Sequence, residues 1–370
     1  MVFHKTHGMN QPLFSMRTLY VSRTPADSSV YPTISAALDA IPMDLNEPAC
    51  IYLAPGIYHE KITINKPYLT ILGTGKSNKD VVLTYDDYAL APMADIGKLG
   101  TFRSYSVFID THDVTLQNLT IENASGDSLT HGQAIALYAD GDRLVIDSCR
   151  LIGHQDTLFT GPLPPKEIEP DGFYSVQKQF APRINWQTIF IKNCYICGDI
   201  DFIFGSATAY FENCVIESLC LTTNVNDIQG YITAPPHRKV RNTDMYFPTV
   251  NLSQRTARLI LSISEDHGAI MLKPFFLNVH WEIIFMNAVF HDWKKEDARN
   301  TVLYAEYRNY PASSADTTSN NRSLNDDIHC IDGRCIPYPH RAEYVCELDA
   351  VQAEHFSKEN VLSGADYWNP

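Results

Sequence analysis

Apolar residues over the first 235 positions come in short β-branched and aromatic runs broken by Gly, Asn, Asp and Pro, not at the three-to-four spacing of long helices. Cys50 to Leu53, Lys61 to Ile64, Leu69 to Leu72, Val81 to Tyr85, Ser106 to Ile109 and Val114 to Ile121 read as strands, and more follow. One early stretch differs. Ile34, Leu38 and Ile41 fall on one helical stripe, with Thr33 as N-cap and Pro42 as the stop, so a short helix is predicted at one end of a strand-rich stack.

The strands carry a repeat. Leu116-Gln-Asn-Leu119-Thr-Ile121, Ile146-Asp-Ser-Cys149-Arg-Leu151, Ile191-Lys-Asn-Cys194-Tyr-Ile196 and Phe211-Glu-Asn-Cys214-Val-Ile216 each place an apolar residue, a small polar residue, and two more apolar or Cys residues at the same steps. From Leu116 to Ile146, Ile191 and Phe211 the offsets are 30, 45 and 20 residues. Unequal spacing between equal phrases is what a coiled solenoid leaves when loops of different length emerge from its corners. An all-β chain wound as a single-stranded, right-handed parallel β-helix with a short capping helix fits best. Strands lie about 4.8 Å apart in such a stack, and the small polar residue can ladder at a bend. A β-sandwich could also show four such strands; the spacing favours the solenoid.

Composition then excludes several functions. Of 370 residues 45% are hydrophobic and 19% charged, enough apolar material for a sizeable core. Lys and Arg number 29 against 43 Asp and Glu, a net charge of -14 that repels nucleic acid and anionic membranes. No window approaches the roughly 18 apolar residues of a membrane span, and the first residues lack the apolar run of a secretory signal. A soluble protein is expected, cytosolic or secreted after removal of a leader. Nine Cys are too sparse for a disulfide framework, and several read as core fillers. Cys194 and Cys197 are three apart in a strand and so point to opposite faces, which argues against a metal or redox pair. Cys330 and Cys335 stand close enough in sequence to pair.

The repeat also aligns two acids. Asp156 lies seven residues after Cys149 and Asp201 seven after Cys194, each opening a similar phrase, Asp156-Thr-Leu-Phe159 and Asp201-Phe-Ile-Phe204. They should be neighbours on consecutive coils. Two carboxylates that close cannot both ionise cheaply, so one proton affinity should rise, which suits one nucleophile and one acid/base. The next equivalent position is Leu221, so the column holds two acids, too few oxygen ligands for a Ca²⁺ site. The plainer account is that each Asp caps a turn.

Gly132-Gln133-Ala134, Gly153-His154-Gln155-Asp156-Thr157-Leu158 and Gly198-Asp199-Ile200-Asp201-Phe202-Ile203-Phe204-Gly205 resemble the central motifs of the pectin methylesterases. Tyr52 to Tyr58, Glu60-Lys61, Gly230 to Ala234 and Tyr304 to Tyr307 add to the likeness, which runs from about Leu19 to Ala234 and from about Phe290 to Tyr310. A last trace follows at Phe356 to Pro370, and Pro162 to Pro182 is similar to a loop of some bacterial members. The resemblance implies a pectin-lyase-like solenoid that hydrolyses the methyl esters of pectin (homogalacturonan), as a monomer and without cofactor or metal. Carried over by motif, Asp201 would be the nucleophile and Asp156 the acid/base, with Gln133 and Gln155 donating to the oxyanion. Tyr138, Phe159 and Phe202 are candidates for stacking on sugar faces, with packing in the solenoid wall as the alternative.

One family motif is missing. The Gly-Arg-Pro-Trp phrase is absent between Ala234 and Phe290, and alignment on Phe276-Leu277-Asn278 puts Asp266, His267 and Gly268 at the Arg, Pro and Trp positions. An anion there instead of a cation would raise the proton affinity of Asp201 and impair activity; Arg255 or Arg258 would have to substitute. His291-Asp292-Trp293 is similar to the family's stretch just beyond, and there Trp293 reads as structural rather than as a subsite. The expected organisation is an extension over 1–18, the β-helix over 19–310 with a divergent stretch at 235–289, and a tail over 311–370 packing on it. Divergence and an altered reading frame both account for 235–289. Two other functions remain open: a glycoside hydrolase using the same carboxylate pair, and a pectin-binding solenoid without turnover.

Overall fold

The computed structural model describes residues 16–42, 47–94, 97–162, 187–205, 207–219, 230–233, 349–363 and 367–370 in full, and further strands between 234 and 347 by their backbone. The chain winds as a right-handed parallel β-helix whose described strands form three parallel sheets, of twelve, nine and six. One turn of the coil shows the path: Leu144–Asp147 in the first sheet, Arg150–Ile152 in the second, Leu158–Thr160 in the third, then Thr188–Lys192 back in the first.

The repeat is the register. Leu116 pairs with Ile146, Ile146 with Ile191, and Ile191 with Phe211, which reproduces the three sequence offsets. All four side chains are closed to solvent. So are the columns beneath them, Leu119–Cys149–Cys194–Cys214 and Ile121–Leu151–Ile196–Ile216. The cysteines are free thiols acting as small apolar fillers; the Cys149 amide donates to the Cys194 sulfur at 3.3 Å. Cys197 is buried and free as well.

Between the first and second sheets the chain turns in one or two residues. Asn118, Ser148, Asn193 and Asn213 hold φ of 54°, 56°, 56° and 53°, left-handed values that short polar side chains tolerate best. The expected ladder forms there: Asn213 Nδ2 donates to Asn193 Oδ1 at 2.8 Å, and Asn193 Nδ2 to Asp147 Oδ1 at 3.0 Å. On the Ser148 coil the acceptor is Asp147 Oδ1, to which Ser148 Oγ also donates at 2.9 Å.

Helix Ile34–Asp39 closes one end of the stack. Thr33 caps it by accepting from the Ala36 amide at 3.1 Å, and the Glu60 carboxylate accepts from the Ile34 and Ser35 amides at 3.1 Å each. Ile34, Ala37 and Leu38 face inward. Near the other terminus, helix Ala350–Glu354 precedes helix Lys358–Leu362, which lies on the outer face of the first sheet, where Leu362 packs on Phe190 and Tyr210 beside Phe356, Val361 and Trp368.

Strands persist through the stretch that lacks the repeat pattern. Met245–Pro248, Phe275–Leu277, Tyr304–Tyr307 and Val345–Glu347 extend the first sheet. The third sheet behaves otherwise: among the described residues it ends at Thr233–Ala234, and Ser262–Ile263 pairs with His291–Asp292 as a separate two-stranded sheet. Cys330 and Cys335 are register partners in the hairpin Ile328–Ile331 and Arg334–Pro337.

The left-handed turn gives a direct test. Asn193→Ala should lose about 1–2 kcal/mol in denaturant unfolding, from the two ladder bonds and from the polar side chain that makes the left-handed backbone tolerable. Asn193→Gly, free of the Cβ penalty, should lose less. Equal losses would place the cost in the hydrogen bonds alone.

Candidate active site

Two turns of equal design lead from the second sheet into the third on consecutive coils. Gly153 to Thr157 connects Arg150–Ile152 to Leu158–Thr160, and Asp199 to Phe202 connects Tyr195–Gly198 to Ile203–Gly205. The strands that follow pair Leu158 with Ile203 and Phe159 with Phe204, an offset of 45 that carries back to Asp156 and Asp201. The ladder extends into the turns, with the Asp156 amide donating to Ile200 O at 3.0 Å and Leu158 to Phe202 O at 2.9 Å. Asp156 and Asp201 share a left-handed backbone, φ 66° and 47°. The turns touch so closely that Gly198 admits no side chain: a Cβ there would stand 2.2 Å from Phe202 Cβ and 2.4 Å from His154 O.

The two acids differ in environment. Asp156 is 7% exposed, and Asp201 is half-buried. Burial, then the negative charges of Asp201 and Asp199, push the Asp156 carboxyl well above the usual carboxylate range. A group so placed holds its proton to higher pH than an ordinary carboxylate does, as a proton donor requires. The Tyr231 hydroxyl is held above its ordinary value by burial and then by the charge of Asp201, so the tyrosine faces that carboxylate.

Both glutamines stand at the same end of the third sheet, half-buried. The Ala134 amide donates to Gln155 O at 3.0 Å, and the Ala89 amide to Gln133 O at 2.8 Å, so Gln133 sits one coil before Gln155. Three successive coils thus contribute Gln133, then Gln155 with Asp156, then Asp201.

The aromatic candidates are placed differently from a sugar platform. Phe202 is fully buried in the interior core. Tyr138 and Phe159 are fully buried in an aromatic cluster with Phe108, Ile135 and Phe204, against which Phe102 and Tyr105 pack. Their rings meet edge to face at 4.9 Å. As placed, all three rings pack within the protein and offer no face to a sugar, which corrects the stacking expectation. Asp266, His267, Gly268, Arg255, Arg258 and Trp293 lie outside the residues whose side chains are described.

Two residues had no role in the sequence reading. His154 Nδ1 and Asp199 Oδ2 are 2.8 Å apart, and Asp199 is almost fully buried. Their hydrogen bond, then the charges of Asp199 and Asp127, lift the His154 proton affinity against the opposing effect of burial. The separation from 154 to 199 is again 45, the step that aligns the two candidate acids, so counting had the means to find this pair.

A sequence model of the family described as Pectinesterase matches residues 21–162 and 184–324, including the stretch 235–289. The chain belongs to the pectinesterase family. Among curated relatives, the Arabidopsis thaliana pectinesterase QRT1 is 28% identical over 79% of this chain and 68% of its own length. A probable pectinesterase/pectinesterase inhibitor 23 of the same plant is 28% identical over 75% of this chain but only 44% of its own length. Pectinesterase 31 of Arabidopsis thaliana is 26% identical over 84% and 90%. Solved pectin methylesterases share the fold. That of Erwinia chrysanthemi superposes with TM-score 0.66 at 22% identity, covering 95% of this chain and 98% of its own. The carrot enzyme gives 0.68 at 18% identity, covering 99% and 96%.

Two outcomes follow for this pectinesterase-family chain. Because the fold favours the protonated Asp156 carboxyl, its contribution to stability is complete below 3.8, the ordinary aspartate value, and is lost as pH rises through the raised one. Asp156→Asn should therefore unfold at a higher temperature than the parent at neutral pH, with the gain shrinking to nothing as pH falls toward 3.8. A gain independent of pH would contradict the raised carboxyl. Phe159→Ala should cost about 3–5 kcal/mol in unfolding free energy, the price of a cavity in a closed cluster. A negligible loss would return Phe159 to the surface.

Proposed function

We propose that the chain hydrolyses the methyl esters of pectin through Asp201 as nucleophile and Asp156 as acid/base. The observation that supports this reading is the matched pair of turns, in which half-buried Asp201 follows by one coil the buried Asp156, whose carboxyl is pushed well above the usual carboxylate range. In the first step an Asp201 oxygen bonds to the ester carbonyl carbon, the carbon–methoxy bond breaks, and Asp156 gives its proton to the departing methanol. The acyl-enzyme so formed is a mixed anhydride. Asp156, now ionised, takes a proton from water as the water attacks, which frees the galacturonate carboxyl and restores both acids. Gln133 and Gln155 donate to the oxyanion in each step, at about 3 kcal/mol per donor in comparable sites.

Support for pectin as the substrate comes from the family and from a similar pectin methylesterase solved in complex with a hexasaccharide, which superposes with TM-score 0.64 at 22% identity. The relatives described above are esterases by name, which leaves the glycoside hydrolase and the non-catalytic binder without comparable support. The reading takes the chain as a monomer, since a solenoid needs only its ends covered.

Incubation with methyl-esterified pectin should release methanol without new reducing ends. Asp201→Asn should lower the rate by at least about 10³-fold and Gln155→Ala by about 10²–10³-fold. Unchanged turnover in Asp201→Asn would remove the nucleophile assignment, and reducing ends without methanol would replace the esterase with a glycosidase.

A further inference from the structure

The His154–Asp199 pair stands two residues before each candidate acid, on the same two turns. Its bonds tie the turns together at three points. Side chain meets side chain at 2.8 Å, the Asp199 amide donates to His154 O at 3.2 Å, and Thr157 Oγ1 bridges His154 O and Cys197 O at 3.1 and 2.9 Å. The second Asp199 oxygen, Oδ1, accepts from the Ile200 amide at 2.7 Å and shapes the approach to Asp201. Asp199 O accepts from the Tyr231 amide at 2.7 Å, which anchors the residue that faces Asp201 from the following coil. Through its carboxylate and its backbone together, one buried residue thus holds parts of three coils.

Position also gives the pair an electrostatic role. Three carboxylates, those of Asp156, Asp199 and Asp201, gather within one coil step, and Asp156 feels the other two. The one cation in direct contact with them among the described residues is His154, when protonated. Resting on the esterase reading above, we propose that His154 and Asp199 form a positioning pair for the reaction: they fasten the turns that carry Asp156 and Asp201, and His154 protonation decides how much negative charge Asp156 faces. While His154 is charged it offsets Asp199. Once it is neutral, Asp199 acts on Asp156 uncompensated, and the acid binds its proton more tightly as the solution becomes more alkaline. Among the described residues, the other charged groups in range are Asp127, at the cap of helix Ser128–His131, which acts on His154, and His131, which acts on Asp127.

The test uses two variants whose effects should have opposite signs. His154→Gln keeps a polar group but removes the cation, and Asp199→Asn keeps the shape but removes the anion. Carbon-13 NMR of labelled aspartate side chains, with the Asp156 signal identified by its loss in Asp156→Asn, should show the Asp156 midpoint raised in His154→Gln and lowered in Asp199→Asn. Each shift should be roughly one pH unit, the size of one charge at this range. The alkaline limb of methanol release against pH should move in the same directions. A merely structural pair would lower activity and melting temperature in both variants without opposed shifts, and that result overturns the proposal. Should Asp199→Asn fail to fold, His154→Gln decides alone: an upward midpoint supports the pair and an unmoved one rejects it. Opposed NMR shifts in a chain that releases no methanol would leave the pair standing and remove the esterase reading; methanol release without the shifts would do the reverse.

Discussion

The site depends on the parallel register between Leu158–Thr160 and Ile203–Gly205. Side chains in a strand alternate faces, so a slip of one residue would turn Leu158 and Ile203 out of the core and carry Asp156 away from Asp201. The interior forbids the slip. Columns of closed-off Leu, Ile and Cys run through every coil near the site, and a close-packed interior resists any shift that opens a void. The geometry of the candidate site is thus a consequence of core packing: the same apolar column that gives stability fixes which polar residues meet at the corner.

Much of this was legible in the sequence because solenoid registers are integers. Offsets of 30, 45 and 20 between Leu116, Ile146, Ile191 and Phe211 are strand pairings in the structure. The asparagine turns were legible for the same reason, since the small polar residue recurs at a fixed step from its neighbours and only short polar side chains sit easily at φ near 55°. Burial of the aromatic candidates was not legible. Tyr138 and Phe159 point away from the solenoid interior yet are closed off by Phe102 and Tyr105, which come from a distant loop segment. Alternation along a strand tells inside from outside; it does not tell which outside face another loop covers.

His154 and Asp199 show a different limit. Both stand inside phrases similar to the family's motifs, two residues before each acid, where nothing in residue type alone separates them from ordinary turn residues. Physical reading alone recovers it: a carboxylate 3% exposed demands partners, and the register allows few. Asp199 meets the demand with His154 on one oxygen and the Ile200 amide on the other.

Three acids on adjacent coils, two of them in left-handed conformations, make this corner an expensive arrangement in isolation. Positive φ at a residue with a side chain costs of order 1 kcal/mol or more, and each carboxylate raises the cost of ionising the next. The solenoid tolerates it because the strain sits between long, regular ladders whose hydrogen bonds and apolar columns would all have to shift for the corner to relax. That rigidity is also what a reaction with separate acid and nucleophile roles requires. Were the turns free to move apart, Asp156 and Asp201 would approach ordinary, solvated carboxylates, and the difference in proton affinity on which the proposed division of roles rests would be lost.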